Sequence, residues 1–139
     1  RVALLHCGNR SDADDLVQES LLAAWESIGG YVPGTSFRSW LTGIAANRAL
    51  AWRRKESLRR HVPLPEGLQA RREEDPERVR EALGRLPERE RVMLILRAVE
   101  GWPARRIAEH LGLEPASVST ALWKARKALR EHLESEKAG

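Results

Sequence analysis

The sequence predicts an all-α protein in which two small helical domains are joined by a flexible linker. Apolar residues recur at intervals of three and four, β-branched and aromatic residues are too sparse for an all-β fold, and residues 60–75 lose the helical periodicity. With 42% hydrophobic and 32% charged residues, the 139-residue chain has the composition of a folded protein. We expect domains at residues 1–59 and 76–139, with the linker at residues 60–75.

The first predicted helix spans residues 12–28. Asp12 is expected to be its N-cap, because carboxylates accept hydrogen bonds from the unpaired N–H groups of a first turn. The residues predicted to form its buried stripe are Leu16, Val17, Leu21, Ala24, Trp25 and Ile28. The next eight residues, GGYVPGTS (29–36), contain three glycines and a proline and therefore predict a loop.

The second predicted helix runs from about residue 36 to residue 57. Its apolar stripe is predicted to consist of Phe37, Trp40, Leu41, Ile44, Ala45 and Trp52. The other side is basic and carries Arg38, Asn47, Arg48, Arg53, Arg54 and Lys55. We interpret the aromatic residues of the stripe as core, which leaves Tyr31 in the loop as the freer aromatic side chain.

The second domain is predicted to begin with short helices at residues 76–86 and 88–100. The stretch RRIAEHLGLEPASVSTALWKARKAL (105–129) then has the pattern of a helix-turn-helix, in which Gly112 supplies a left-handed turn and Pro115 opens the last helix. The inward face of that helix is expected to contain Val118, Leu122, Ala125, Leu129 and Leu133. Its outward face begins with short side chains and becomes basic further along.

Charge and cysteine content limit the possible functions. The net charge of +4, with a basic cluster RRKESLRR at residues 53–60, favours a nucleic-acid partner. Cys7 is the single cysteine, and no stretch has the layout of a membrane span or a signal peptide, so we expect a cytoplasmic location. Because position 1 is Arg, we also expect the sequence to begin partway through a longer product.

No enzymatic activity, metal site or cofactor is predicted. His6 and Cys7 are adjacent and so poorly placed to chelate a metal together, and the other three histidines, His61, His110 and His132, lie in different elements without ligand spacing. A glycine-rich phosphate-binding loop between a strand and a helix is also missing from the sequence.

Both ends of the chain resemble one family. DADDLVQESLLAAW followed by GTSFRSWLTGIAANRALAWRRK resembles the second conserved region of bacterial extracytoplasmic-function (ECF) sigma factors of the sigma-70 superfamily. REALGRLPERERVMLILRAVEGWPARRIAEHLGLEPASVSTALWKARKAL resembles their fourth region. The resemblance covers nearly the whole chain. It is specific because the two motifs occur in this order with a polar linker between them.

The resemblance implies a protein that binds RNA polymerase core through its clamp helices and flap, binds promoter DNA and is held inactive by an anti-sigma factor. The residues it implies for core binding are Asp15, Gln18 and Glu19. Those implied for the −10 element are Gly34, Thr35, Ser36 and Asn47 at bases, and Arg48, Arg53, Arg54 and Lys55 at phosphates. Those implied for the −35 element are Ser117, Ser119, Thr120, Trp123, Lys124 and Lys127.

Several departures from the family leave alternatives open. Ala46 and Ala51 replace residues that are often charged in the family, and Ser119 and Ala121 stand where Lys and Arg are common. Short side chains read guanine only weakly, which predicts weak discrimination at the −35 element. One alternative is therefore a sigma-like decoy or adaptor that binds polymerase or an anti-sigma protein without reading promoters, and another is a one-component regulator. Two of the implied sites also have a purely structural alternative. Asn47 could cap a local backbone group instead of contacting a base. Asp15, Gln18 and Glu19 could form a solvated helix face without a partner.

Overall fold

The computed structural model describes the backbone of residues 2–56 and 76–138 and the side chains of residues 2–51 and 77–135. The predicted linker and the side chains of Arg53, Arg54 and Lys55 lie outside the described residues. Within the described ranges there is no strand, and the elements are α1 (Val2–Cys7), α2 (Arg10–Glu26), a 3₁₀ turn (Ile28–Gly30), α3 (Phe37–Glu56), α4 (Pro76–Gly84), α5 (Glu88–Ala98), α6 (Ala104–Leu111) and α7 (Pro115–Ala138). The all-α prediction is confirmed.

The N-terminal part of the chain differs from the prediction in two ways. Residues 2–7 form α1, a short helix that the sequence analysis did not predict. The N-cap of α2 is Asn9 rather than Asp12, because the side chain of Asn9 accepts the backbone N–H of Asp12 at 2.9 Å. Asp12 is therefore the third residue of the helix, and its carboxylate accepts a hydrogen bond from the Asn9 amide at 2.6 Å.

The buried face of α2 is narrower and made of smaller residues than predicted. Its buried residues are Ala13, Leu16, Ser20, Ala23 and Ala24. Val17, Leu21, Trp25 and Ile28, which the sequence analysis assigned to the buried stripe, are instead exposed. Small side chains allow α1 and α3 to approach α2 closely, and this approach leaves the larger apolar residues facing outward.

The two predicted domains share one hydrophobic core. Leu16, Ala46 and Ala49 of the N-terminal half pack in the same cluster as residues of the C-terminal half, among them Leu83, Val92, Leu96, Trp102, Ile107 and Val118. Helix α3 contacts α5, while α1 contacts α4 and α5. Ala46 and Ala49 are almost completely buried, and their small size permits α3 to lie close to its neighbours.

The helix-turn-helix prediction is confirmed in its local geometry. Gly112 follows α6 with φ of 69° and ψ of 36°, the left-handed conformation that glycine adopts without strain. The N–H of Leu113 then donates to the carbonyl of Ala108 at 2.8 Å, which closes the end of the helix. In α7, Val118, Leu122 and Ala125 are buried as expected.

Candidate nucleic-acid interface

An aromatic cluster organises the loop between α2 and α3. The ring centroids of Tyr31, Phe37 and Trp40 lie 5.3 to 5.6 Å apart in all three pairs. The hydroxyl of Tyr31 donates to the carbonyl of Thr35 at 2.5 Å, and the hydroxyl of Thr35 donates to the carbonyl of Val32 at 2.6 Å. The loop is therefore held in one shape by its own side chains. The assignment of Phe37 to the core is wrong, since its side chain is 48% exposed at the edge of this cluster.

The three loop residues proposed to contact bases lie together at the surface. Gly34, Thr35 and Ser36 are all exposed, and Gly34 has φ of 92°, which favours glycine. The side-chain oxygen of Ser36 accepts the backbone N–H of Ser39 at 3.2 Å and so begins α3. The Ser36 hydroxyl can still donate, and the Thr35 hydroxyl oxygen can still accept, so both groups retain hydrogen-bonding capacity for a ligand.

Asn47 forms a second polar position on the same side of α3. It is exposed, as is Arg48 next to it. Asn47 lies about three helical turns beyond Ser36, which puts the two residues on one face and roughly 16 Å apart. Within the described part of the chain the amide of Asn47 makes no hydrogen bond, so the local capping alternative finds no support. In duplex DNA, where each strand rises about 3.4 Å per nucleotide, 16 Å corresponds to about five nucleotides.

The residues proposed for core polymerase binding lie on the outward face of α2. Asp15, Gln18 and Glu19 are all exposed. Large apolar residues share this face and are 45 to 76% exposed: Val17, Leu21 and Trp25, which were predicted to be buried, and Leu22, which the prediction did not include. A signal was present in the sequence: Leu21 and Leu22 point in directions about 100° apart, so both cannot face one narrow core. The face therefore combines acidic and apolar groups.

The first turns of α7 carry the residues proposed for the −35 element. Ser117, Ser119, Thr120, Trp123, Lys124 and Lys127 are all exposed. Trp123 is 63% exposed, and the Lys127 ammonium lies 5.3 Å from the centroid of its ring. Short hydroxyl side chains thus form the tip of this helix, and longer cationic ones follow.

The charged and polar groups beneath these surfaces show no sign of a metal centre. Among the described residues, no three His, Cys, Asp or Glu side chains are grouped as metal ligands would be. Burial of the His6 ring, together with the positive charge of Arg91, lowers the pKa of His6 to about 4, so this side chain is neutral at physiological pH. The described helices also include none long and apolar enough to cross a membrane.

Comparison with known proteins identifies the family to which the chain belongs. The family model for Sigma-70 region 2 matches residues 1–59, and that for Sigma-70, region 4 matches residues 77–129. RNA polymerase sigma factor SigV of Bacillus subtilis is 32% identical over 142 residues, which cover 98% of this chain and 84% of SigV. The chain therefore belongs to the RNA polymerase sigma factors.

A further relative indicates the type of sigma factor, and a solved structure has the same fold. ECF RNA polymerase sigma factor SigG of Mycobacterium tuberculosis is 34% identical over 170 residues, which cover 94% of this chain. The match spans 45% of SigG, so the chain has about half the length of this relative. The sigma factor RpoE of Bartonella quintana, solved in complex with the anti-sigma factor NepR, has the same fold, with a TM-score of 0.75, 22% identity and coverage of 96% of this chain and 88% of RpoE. The sigma factor is thus of the ECF type.

Proposed function

We propose that this protein binds bacterial RNA polymerase core in the cytoplasm and directs promoter-specific initiation without being an enzyme itself. In this role it recognises the −10 and −35 elements and assists melting of the duplex. The observation that carries the proposal is the self-organised loop at Thr35 and Ser36, exposed on the same face of α3 as Asn47 in a chain of the sigma family. The loop and the helix together present two polar positions along the path of one DNA strand.

The loop is suited to holding an unstacked base. An extruded base is recognised by hydrogen bonds to its edge and by stacking on apolar or aromatic groups. Thr35 and Ser36 supply hydrogen-bonding groups next to the exposed ring of Phe37. Gly34 lacks a side chain that would keep a base away from the backbone. Asn47 would contact a base further along the strand, and Arg48, Arg53, Arg54 and Lys55 would neutralise phosphates.

The outward face of α2 is suited to a protein partner. Interfaces concentrate their binding energy in a few large side chains surrounded by polar groups. Trp25 is 76% exposed and Leu22 is 59% exposed, and the acidic and amide side chains beside them would pair with basic groups of the clamp helices. We therefore extend the polymerase contact from Asp15, Gln18 and Glu19 to include Leu21, Leu22 and Trp25.

The tip of α7 is suited to permissive contact with the −35 element. Each bidentate base contact contributes about 1–3 kcal/mol of discrimination, and Ser119 and Ala121 cannot form one. Trp123 offers an apolar surface, while Lys124 and Lys127 would hold phosphates. The flap of the polymerase would contact this region as well. We also infer an anti-sigma factor as a protein partner, since RpoE of Bartonella quintana was solved with one.

Reconstituted transcription tests the proposal. Core polymerase is mixed with the protein and a library of promoter sequences, and initiated RNA is sequenced, with core polymerase alone as the control. We expect RNA only when the protein is present. Tight binding to core polymerase without initiation at any promoter would instead identify a decoy or adaptor and overturn the proposal.

A further inference from the structure

Helix α7 has a stripe of exposed apolar groups on the side opposite to its buried face. Ala116, Thr120 and Trp123 lie at intervals of four and three residues, which places them on one side of the helix. All three are exposed, whereas Val118 and Ala125 on the other side are completely buried. These three residues, the outward stripe of α7, therefore present two methyl groups and an indole at the surface.

Lys127 follows the outward stripe along the helix and lies against its indole. The Lys127 ammonium is 5.3 Å from the centroid of the Trp123 ring. Because the side chains of a helix lean toward its N-terminus, Lys127 reaches the ring from the turn beyond, while the indole leans toward Thr120. The attraction between the ammonium and the ring favours one position of the indole. Trp123 is still 63% exposed, so its ring remains available to a ligand.

An exposed apolar stripe on a DNA-binding helix matches one feature of the major groove. Thymine is the base whose major-groove edge carries an apolar group, the 5-methyl, whereas the edges of the other bases consist of hydrogen-bond donors and acceptors. Alanine, the methyl group of threonine and aromatic rings are the groups that contact this methyl. The hydroxyls of Ser119 and Thr120 can pair with more than one base and so discriminate little. The chemistry of the outward stripe therefore favours thymine.

The outward stripe lies in the part of α7 that a helix-turn-helix uses to contact bases. In such motifs the N-terminal residues of the second helix contact base edges. Ala116 and Thr120 are the second and sixth residues of α7, and the indole of Trp123 leans back toward them. From Ala116 to Trp123 the helix rises about 10 Å, which is about the rise of three base pairs. The stripe can therefore contact the methyl groups of neighbouring thymines.

We propose that the outward stripe of α7 selects thymine in the −35 element through the 5-methyl group in the major groove. The inference deepens the proposed function and rests on it, since it names the base read by the surface assigned to that element. Burial of one methyl group corresponds to about a fourfold change in affinity. The best bidentate hydrogen-bonded pairs reach about a hundredfold, so the preference for thymine is modest.

Two pairs of fluorescent duplexes test the inference with the full chain. All share their flanking sequences and differ in about six central base pairs. The first pair has adenine–thymine pairs, with thymidine or with deoxyuridine, which lacks only the 5-methyl group. The second pair has guanine–cytosine pairs, with cytosine or with 5-methylcytosine, which places a methyl group in the major groove. Anisotropy measures the affinities, and we expect the methylated duplex of each pair to bind about fourfold more tightly or better.

Substitutions at exposed positions of α7 locate the contact with the methyl group. Trp123→Ala removes the indole, and Thr120→Ser removes one methyl group but keeps the hydroxyl; Thr120→Val, the matched control, keeps the methyl group and removes the hydroxyl. We expect the ratio of affinities for the thymine and uracil duplexes to fall to about twofold or less in the first two variants and to persist in Thr120→Val. Lys124→Ala should weaken binding to every duplex by the same factor, because a phosphate contact does not depend on the base. Circular dichroism checks that each variant remains helical.

The inference and the proposed function can fail separately, since the duplex titrations do not use polymerase. Equal affinity of the wild-type protein for the thymine and uracil duplexes would overturn the inference, and so would equal affinity within the cytosine pair, because duplex shape would then explain the first difference. An unchanged ratio in both Trp123→Ala and Thr120→Ser would also overturn it. If the thymine duplex is preferred but core polymerase initiates at no promoter, the proposed function is wrong and thymine selection by α7 stands.

Discussion

At the scale of single residues, the loop between α2 and α3 has the most specific geometry of the candidate interface. Tyr31 contributes in two ways: its ring packs on Phe37 and Trp40, and its hydroxyl fixes the carbonyl of Thr35. The sequence analysis assigned base contacts to Thr35 and Ser36 from the resemblance, and their function stays a prediction. It did not predict the hydrogen bonds of the loop, because glycine and proline content indicates a loop without indicating which side chain closes it.

Tyr31→Phe is expected to weaken binding to the −10 strand while the fold is retained. The substitution keeps the aromatic cluster but removes the hydrogen bond to Thr35, which is worth about 1 kcal/mol or about fivefold in affinity if the loop must be reordered on binding. Anisotropy with a −10 oligonucleotide measures the affinity, and Ser11→Ala, which removes an exposed hydroxyl from α2, is the control. Equal affinity of Tyr31→Phe and wild type would show that this hydrogen bond does not position the loop for DNA.

His6 should make the free energy of unfolding depend on pH. Its pKa falls from 6.5 to about 4 in the folded protein because burial, and then the charge of Arg91, disfavour the imidazolium. The unfolded chain therefore takes up a proton as the pH falls below 6.5 while the folded chain does not, so the stabilisation is complete above pH 6.5 and decreases toward pH 4. The loss is roughly 3 kcal/mol over this window. Urea unfolding at pH 7 and pH 5 measures how much the free energy of unfolding changes between the two pH values. We expect this change to be smaller in His6→Leu than in wild type. An equal change in both proteins would show that His6 does not titrate in this way.

At the scale of elements, α2 and α7 show what periodicity can and cannot predict. In α7 the apolar residues follow one stripe, and the predicted inward positions Val118, Leu122 and Ala125 are buried. In α2 the apolar residues cover more than one side, and alanines rather than the large residues face the core. Hydrophobic spacing identified both helices, but it could not identify which apolar side of α2 is covered by the rest of the chain.

Trp25→Ala is expected to weaken binding to core polymerase with little effect on folding. Because the indole is 76% exposed, its removal should change the free energy of unfolding by no more than about 0.5 kcal/mol. A hot-spot side chain at the centre of an interface contributes about 2 kcal/mol or more, which corresponds to a loss of affinity of about thirtyfold or more. Val99→Ala, which truncates a residue 47% exposed directly after the end of α5, is the control for core polymerase titrations. If both variants bind core polymerase as wild type does, the apolar face of α2 is not part of the contact.

At the scale of the whole molecule, the two halves identified by the Sigma-70 region 2 and region 4 models pack on one core. The sequence predicted the all-α class, the order of the helices after α1 and the helix-turn-helix. It could not predict that the His110 imidazole of α6 lies 3.1 Å from the carbonyl oxygen of Gly43 in α3, since the two residues are 67 positions apart and neither belongs to an apolar stripe. Local patterns determine which residues form helices, whereas the mutual fit of side chains determines which helix faces meet.

The proposed function assigns different tasks to the two candidate DNA-binding surfaces. The surface proposed for the −10 element combines an organised loop with Asn47, whereas the tip of α7, proposed for the −35 element, presents Ser117, Ser119 and Thr120. The amide of Asn47 can pair with a base edge through one donor and one acceptor, whereas each Ser or Thr hydroxyl makes a single, weakly discriminating contact. Promoter choice should therefore depend mainly on the −10 element, with the −35 element bound largely through its phosphates.

The measurement that tests this account most directly is reconstituted transcription from a promoter library randomised at both elements. The base preferences of the initiated RNAs are read separately at the −10 and −35 positions. We predict initiation that requires the protein, strong base preference at −10 and weak preference at −35. Strong preference at −35 with none at −10, or no initiation at all, would contradict the account.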